Sequence, residues 1–418
     1  MSCFQYEESL EYTAPSHGDW GLVHILCLVP DLHVLFVCPP ACGRHSALGA
    51  IGQNIKHKVS YYFLDAQEIA RGYDEQIRSA TKELLGRLRK RPKALSVVVS
   101  CLDDLIGTDV DKVMEELNAE IPDIHFRAGH MNPITMNTST PPLVTNLAMM
   151  YSFLDHRREK KKTLNILVPF VPLRRSGEIF RFLEAMGIEE VHQLQEKQSF
   201  EDFQKMGESR WNLNLSPVLE RAASEMRQKG IASVSAYTSF HPDSVEESYR
   251  KIYEFFEAQL GVKTMPDLSR EKNAALEAIE EAKALIKDMP IRISQGSVSR
   301  PFHLAKSLSD MGFNVEAVVA QVLPPFEEPY MRALAERGCK FIQTQHFKTI
   351  LFEHINREVL AIGYDGAYMA QTGHFLNLMM DEGCFGYEGI EFLMQKMMEA
   401  VKETQDLQTR IKEEGLVI

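Results

Sequence analysis

Short β-branched runs alternate with amphipathic stretches of helical period along almost the whole chain. In the first third, residues 33–37, 59–64, 95–100 and 124–127 read as strands, and helical spacing covers about 43–54, 74–90 and 109–119. Residues 129–142, rich in Asn, Thr and Pro, read as a connection. A helix near 143–157 then ends in a charged run, 156–162, that predicts a boundary. The second third opens with a strand at 164–168 and a helix at 177–186. A strand at 191–194, a helix at 217–229 and a strand at 231–236 follow, then long helices at 244–260 and 269–288, the latter introduced by Asp267-Leu268-Ser269 as an N-cap signal.

The last third repeats the theme: a strand at 291–294, a helix at 301–311, a strand at 314–320, a helix at 327–337, strands at 340–343 and 358–362, and a helix at 387–403. Three successive βαβ-type units predict an α/β protein with three Rossmann-like domains, each a parallel sheet flanked by helices, over residues 1–160, 161–289 and 290–418.

Composition narrows the function classes. At 418 residues, the chain exceeds what one hydrophobic core supports. A formal charge of −12 argues against nucleic acid or an anionic membrane surface as main partner. The longest apolar runs have strand length, too short to span a membrane, and the first ten residues lack the pattern of a signal peptide, so the expected location is the cytoplasm. Seven cysteines, an odd number without an export signal, predict ligands, reactive thiols or buried residues rather than a disulfide framework.

The cysteines carry the most chemistry. Cys38 and Cys42 lie in Val37-Cys38-Pro39-Pro40-Ala41-Cys42-Gly43-Arg44-His45-Ser46, and Cys101 lies in Val99-Ser100-Cys101-Leu102-Asp103-Asp104. Both groups follow a strand and precede a helix, so parallel strands of one sheet would bring them to its carboxyl edge, where open α/β sheets bind ligands. A helix N-terminus lowers the pKa of a thiol, and the thiolate is the form that binds metal. Cys-x3-Cys with one distant cysteine is an incomplete set for structural zinc, which takes four ligands. It suits an iron–sulfur cluster that borrows ligands from another chain. The plain alternative is that all three are buried small apolar residues.

The remaining candidates weigh less. His45, one turn into the helix after Cys42, is placed to lean toward a bound cofactor or donate a proton. Cys27 reads as core, Cys339 as structural at a strand start, Cys3 as part of an untethered terminus, and Cys384 as a turn residue with a weaker claim on a central pocket. His374 reads as a loop histidine, and Arg174-Arg175 precede a helix in a place that favours anions, although solvation is their ordinary fate. Met379, Met380, Met394, Met397 and Met398 read as core packing. No Gly-Lys dipeptide occurs and no G-x-G-x-x-G follows a strand, so neither a Walker A loop nor a dinucleotide fingerprint is present.

These residues resemble the nitrogenase component 1 family: the catalytic subunits of nitrogenases, dark-operative protochlorophyllide reductase, chlorophyllide reductase and nickel-sirohydrochlorin reductive cyclase. The run from Val37 to Ser46 is similar to its strand–Gly-Pro-x-Gly-Cys–helix signature, and Cys101-Leu102-Asp103-Asp104-Leu105-Ile106-Gly107-Thr108-Asp109 to its Cys-x-x-x-Leu-Ile-Gly-Asp-Asp signature. Weaker likeness continues at 177–188, in Phe240-His241-Pro242-Asp243-Ser244 and in Phe385-Gly386-Tyr387-Glu388-Gly389.

The resemblance implies three Rossmann-like domains, a cluster between two subunits held by first-domain cysteines, and a separate ATP-dependent iron–sulfur protein as electron donor. Cys42 and Cys101 match cluster-ligand positions. The family's first ligand would fall near Ser16 or Gly18, where no cysteine stands, and Cys38 occupies a position normally glycine, a candidate substitute. The cysteine that anchors the nitrogenase cofactor would fall near Trp211-Asn212-Leu213-Asn214 and is missing, and the cofactor-binding histidine has no match around 379–384. Dinitrogen reduction by the usual cofactor is therefore not expected.

Two cysteines from each of two chains, in a homodimer or a heterodimer with a second component-1-like subunit, make four ligands for one [4Fe–4S] cluster. Adding Cys38 makes six, the number for a larger cluster, and a second metal cofactor is compatible with the family. The expected function is a nitrogenase-like reductase acting on a substrate in an interdomain pocket. A scaffold on which a metal cluster is assembled is the alternative, and a ligand-binding protein with incidental cysteines a third.

Overall fold

A computed structural model describes residues 21–132, 135, 141–344 and 358–413. The first part of the chain comprises α1 (Gly21–Leu26), β1 (Leu32–Cys38), α2 (Pro40–Gly52), β2 (Val59–Phe63), α3 (Ala66–Arg71), α4 (Asp74–Arg87), β3 (Ala94–Ser100), α5 (Leu102–Ile106), α6 (Val110–Glu120), β4 (His125–Met131) and α7 (Pro142–Tyr151). Its four strands form a parallel sheet in the order β2-β1-β3-β4. The central strands β1 and β3 are buried at every position, as expected of parallel strands covered on both faces. Alternation divides β1 between two cores: Val34, Phe36 and Cys38 face α1 and α7, whereas Leu35 and Val37 face the cluster that holds α4 and α6 residues.

The second sheet is built from β5 (Lys161–Leu167), α8 (Glu178–Ala185), β6 (Glu190–Gln193), α9 (Phe200–Gln204), β7 (Ser209–Asn214), α10 (Glu220–Gln228) and β8 (Ala232–Ser235), in the parallel order β6-β5-β7-β8. The helices α11 (Pro242–Leu260) and α12 (Ser269–Ile286) follow. The third sheet has the parallel order β11-β10-β9-β12-β13, from β9 (Ile291–Ser294), α13 (Pro301–Asp310), β10 (Val315–Ala320), α14 (Glu328–Glu336), β11 (Lys340–Gln343), β12 (Leu360–Ile362), α15 (Tyr364–Ala370) and β13 (Phe375–Leu376). Then come α16 (Gly386–Lys402) and α17 (Leu407–Glu413). The expected α/β class with three parallel sheets flanked by helices is the observed one. No helix among the described residues is long and apolar enough to cross a membrane.

Several local expectations are corrected. Strand β4 runs to Met131, into the segment read as a connection, and α2 begins at Pro40, earlier than expected. Helix α7 ends at Tyr151, short of the expected 157. Strand β7 escapes sequence reading because it carries Asn212 and Asn214, both fully buried. Their amides are satisfied in place: Asn212 Oδ1 accepts from Asn165 Nδ2 at 2.9 Å, and Asn214 Nδ2 donates to Glu220 Oε2 at 2.9 Å. The short elements α15, β13 and α17 likewise carry no strong period in the sequence.

The second and third sheets are joined through Glu178. Its carboxylate, buried at the start of α8, accepts from Tyr249 Oη at 3.0 Å and from the backbone N–H of Tyr387 at 2.5 Å. It thereby caps the N-terminus of α16. A Cβ at Gly386 would stand 2.2 Å from Glu178 Oε1, and the glycine φ of 73° is one that L side chains avoid, so glycine is required there on both counts.

Candidate metal–sulfur site

Strands β1 and β3 are neighbours, with Val37 paired to Val99, so the two cysteine-bearing turns leave the same edge of the first sheet side by side. Pro39, extended at φ −59°, turns the chain into α2 with Pro40 in its first turn, and the N–H of Cys42 bonds Pro39 O at 3.0 Å. Cys42 is thus presented in the opening turn of α2. Cys101 is the N-cap residue of α5, directly after β3. Both side chains are partly exposed.

Burial pushes the Cys42 thiol above its ordinary pKa, and the Cys101 thiol beside it adds to the shift. This reverses the lowering expected from a helix N-terminus alone. Desolvation and a neighbouring thiol set this direction, and a bound cation is what would reverse it.

Cys38 is fully buried as the last residue of β1. Its Sγ lies 3.3 Å from where a Cβ on Gly43 would stand, a position bounded also by Phe63 and Tyr61. Burial, with the Cys42 thiol as a second cause, pushes the Cys38 thiol up to about 12. His45 lies within α2, and its side chain is outside the described residues, as are Cys3, Ser16 and Gly18.

The surroundings of Cys101 hold polar groups that sequence reading did not single out. His130 Nδ1 and Asp103 Oδ2 are 3.2 Å apart, and Asp103 raises the imidazole pKa. Asn132 Nδ2 donates to Asp104 Oδ2. His130 is itself fixed by Asn146, which donates to its carbonyl at 2.8 Å and accepts from its N–H at 3.2 Å. The signal was present as the Asp-Asp pair that begins two residues after Cys101, but nothing in the sequence places β4 beside it.

Exposed large apolar side chains are concentrated on the elements next to these turns. Of the seven exposed large apolar side chains among the described residues, Leu48 and Ile51 lie on α2, Phe63 ends β2, and Leu105 and Ile106 close α5. Five of seven therefore lie on the elements that carry or flank the two cysteines. The donor chemistry fits a metal–sulfur group: two part-exposed thiols are half of a four-thiolate set. Among the described residues no three His, Cys, Asp or Glu side chains gather around one point.

The other sequence candidates have structural partners. Arg174 Nε donates to Glu388 Oε1 at 2.8 Å, and Arg175 Nε to Glu196 Oε1 at 2.9 Å. The guanidinium groups lie over Phe392 and Phe180 respectively. His374 Nδ1 is 2.8 Å from the carbonyl of Ala400. Cys27, Cys339 and Cys384 are buried, Cys384 in the core shared by the second and third sheets. Met394 and Met397 are fully buried in the same core.

No curated protein matches the chain in sequence. Among solved structures, a chain of nitrogenase Cp1 at pH 6.5 superposes with a TM-score of 0.71 at 16% identity, over 91% of this chain and 91% of that one. A chain of nitrogenase Cp1 at pH 5 gives a TM-score of 0.59 at 14% identity, over 93% of this chain and 88% of that one. These likenesses concern the fold. The family described as nitrogenase component 1 type oxidoreductase matches residues 20–402, nearly the whole chain. The protein therefore belongs to the nitrogenase component 1 type oxidoreductases.

Proposed function

We propose that this chain is the reductase component of a nitrogenase-like system, in which Cys42 and Cys101 supply half of the ligands of an iron–sulfur cluster shared with a second subunit. The family binds metal–sulfur clusters and works in assemblies with an ATP-dependent reductase. The observation that carries the proposal is the placement of two part-exposed thiols just beyond the ends of two adjacent parallel strands, next to the exposed apolar residues Phe63, Leu105 and Ile106. Two chains related by a two-fold axis would bring four thiolates together, the number for one [4Fe–4S] cluster. Cys38, facing the core with Phe36, is left out of that set.

When bound, such a cluster takes up and releases single electrons. The residues of the chain do the rest: Cys42 and Cys101 hold the group as thiolates, and Phe63, Leu105 and Ile106 exclude water on pairing. The electron donor in this reading is a separate ATP-dependent iron–sulfur protein, and the substrate is reduced in a pocket between the sheets.

The test is anaerobic purification of the full chain, with iron and sulfide quantified and the visible and EPR spectra recorded. A cluster signal with about two irons per chain, reducible by an ATP-dependent iron–sulfur protein, is expected for one [4Fe–4S] unit per dimer. Protein that takes up no iron, even on reconstitution with iron and sulfide, would overturn the proposal.

A further inference from the structure

Helix α5 has only five residues, too few to hold itself in place by its own backbone bonds. Its N-cap residue is Cys101, so whatever fixes α5 fixes this thiol. Two side-chain tethers do so from the end of β4: Asp103 to His130, and Asp104 to Asn132. The first continues through the Asn146 amide, which grips His130 by both backbone groups and donates to Pro142 O at 2.7 Å on α7. Gly129 allows this approach, since a Cβ there would meet Asn146 Oδ1 at 3.1 Å and Ser96 Oγ at 3.2 Å. Asp103 is almost wholly buried, with 5% exposure, although it is an acid beside an open turn. Residues whose only task was to end a strand and start a helix would not require two carboxylates held by two partners from a third element.

We infer that Asp103 and Asp104, held by His130 and Asn132, are positioning residues for the Cys101 thiolate and set the reduction potential of the cluster it holds. The inference rests on the reading of Cys42 and Cys101 as ligands. Two carboxylates two and three residues from a ligand, the first of them paired with His130, place negative charge on the ligand's side of the cluster. Negative charge favours the oxidised, more positive state of the metal group and lowers its potential. Their fixed partners keep that charge in place while the helix turn is held rigid.

The experiment compares the reconstituted full chain with its Asp103→Asn and Asp104→Asn variants by iron content and by EPR-monitored redox titration. Both substitutions keep shape and hydrogen bonding and remove one charge. The expected result is an upward shift of midpoint potential in each variant at unchanged iron per chain, with Asp103→Glu returning toward the original value. Unshifted potentials in loaded variants overturn the inference and leave the ligand assignment standing. Should Asp103→Asn fail to fold, as thermal melting would show, Asp104→Asn decides alone, because its side chain is exposed. An unsubstituted protein that takes up no iron overturns the ligand assignment, and this inference with it.

Discussion

Val37 and Val99 stand side by side in the ladder between β1 and β3, one residue before Cys38 and two before Cys101. That pairing converts two sequence segments about sixty residues apart into one site. It also sorts the cysteines. Cys38 still belongs to the strand and follows its alternation inward, whereas Cys42 and Cys101 lie beyond it in the turns.

Replacing Cys42 or Cys101 by Ser should therefore remove the bound iron, because a hydroxyl is a poor substitute for a thiolate toward iron. Cys339→Ser and Cys384→Ser should retain it, although burying a hydroxyl at these sites will lower the melting temperature. Full iron content in Cys101→Ser protein, measured per folded chain, would sink the assignment.

The exposed apolar end of α5 gives a separate prediction about assembly. Leu105 is 68% exposed on α5, so Leu105→Asp costs the isolated chain little. In a paired state the same carboxylate would be buried without a partner, at a cost of several kcal/mol. Sedimentation should show a shift from dimer to monomer, accompanied by loss of iron, without a change in the melting temperature of the monomer. An unchanged assembly state would place the interface elsewhere.

How much of this was legible in the sequence follows from local chemistry. The β-branched runs of β1 and β3 and the turns after them could be read directly, since central parallel strands are apolar on both faces. Strand β4 was half legible because Arg127 and His130 interrupt it, and both are satisfied by groups distant in sequence: Arg127 Nε donates to Ser152 Oγ at 3.1 Å, and His130 meets Asp103. Asn212 and Asn214 hid β7 for the same reason. The inward position of Cys38 depends on β1 extending one residue further than its β-branched run, to a register partner, Phe63, that no local signal supplies. The sequence thus shows which residues can do chemistry, while burial and long-range polar pairing decide which of them are free to do it.

The junction of the second and third sheets makes a stability prediction. Glu178 accepts two backbone N–H groups of α16 and the Tyr249 hydroxyl inside the core. Glu178→Ala strands these donors, at a cost of about 2 to 4 kcal/mol. Glu178→Gln keeps an acceptor and should recover part of it. Denaturant unfolding followed by circular dichroism measures both, and an alanine variant as stable as the original would show that the cap contributes nothing.

Glu327 supplies a pH dependence whose sign can be worked out. The side chain is fully buried, and its carboxylate accepts from the N–H of His303 at 2.9 Å and of Phe302 at 3.4 Å, where α13 begins. Burial raises its pKa from 4.5 to about 7; the two N–H donors and Arg300 oppose the rise, and Asp381 adds to it. His303, itself depressed to about 3 by burial, stays neutral throughout this range. Between pH 4.5 and 7 the folded protein holds a proton on Glu327 that the unfolded chain has released. Stability from this group therefore falls as pH rises through that window and is level above it. The size is on the order of 3 kcal/mol across the full window. Glu327→Gln, which keeps an oxygen for the His303 N–H, should remove this component: its stability relative to the unsubstituted protein should improve from pH 5 to pH 7.5. Other groups titrate in the same range, so the comparison is made between the two proteins at each pH, by urea denaturation. Parallel curves for the two would mean that Glu327 is ionised in the folded state across the whole range, its charge held by Arg300 and the helix N-terminus.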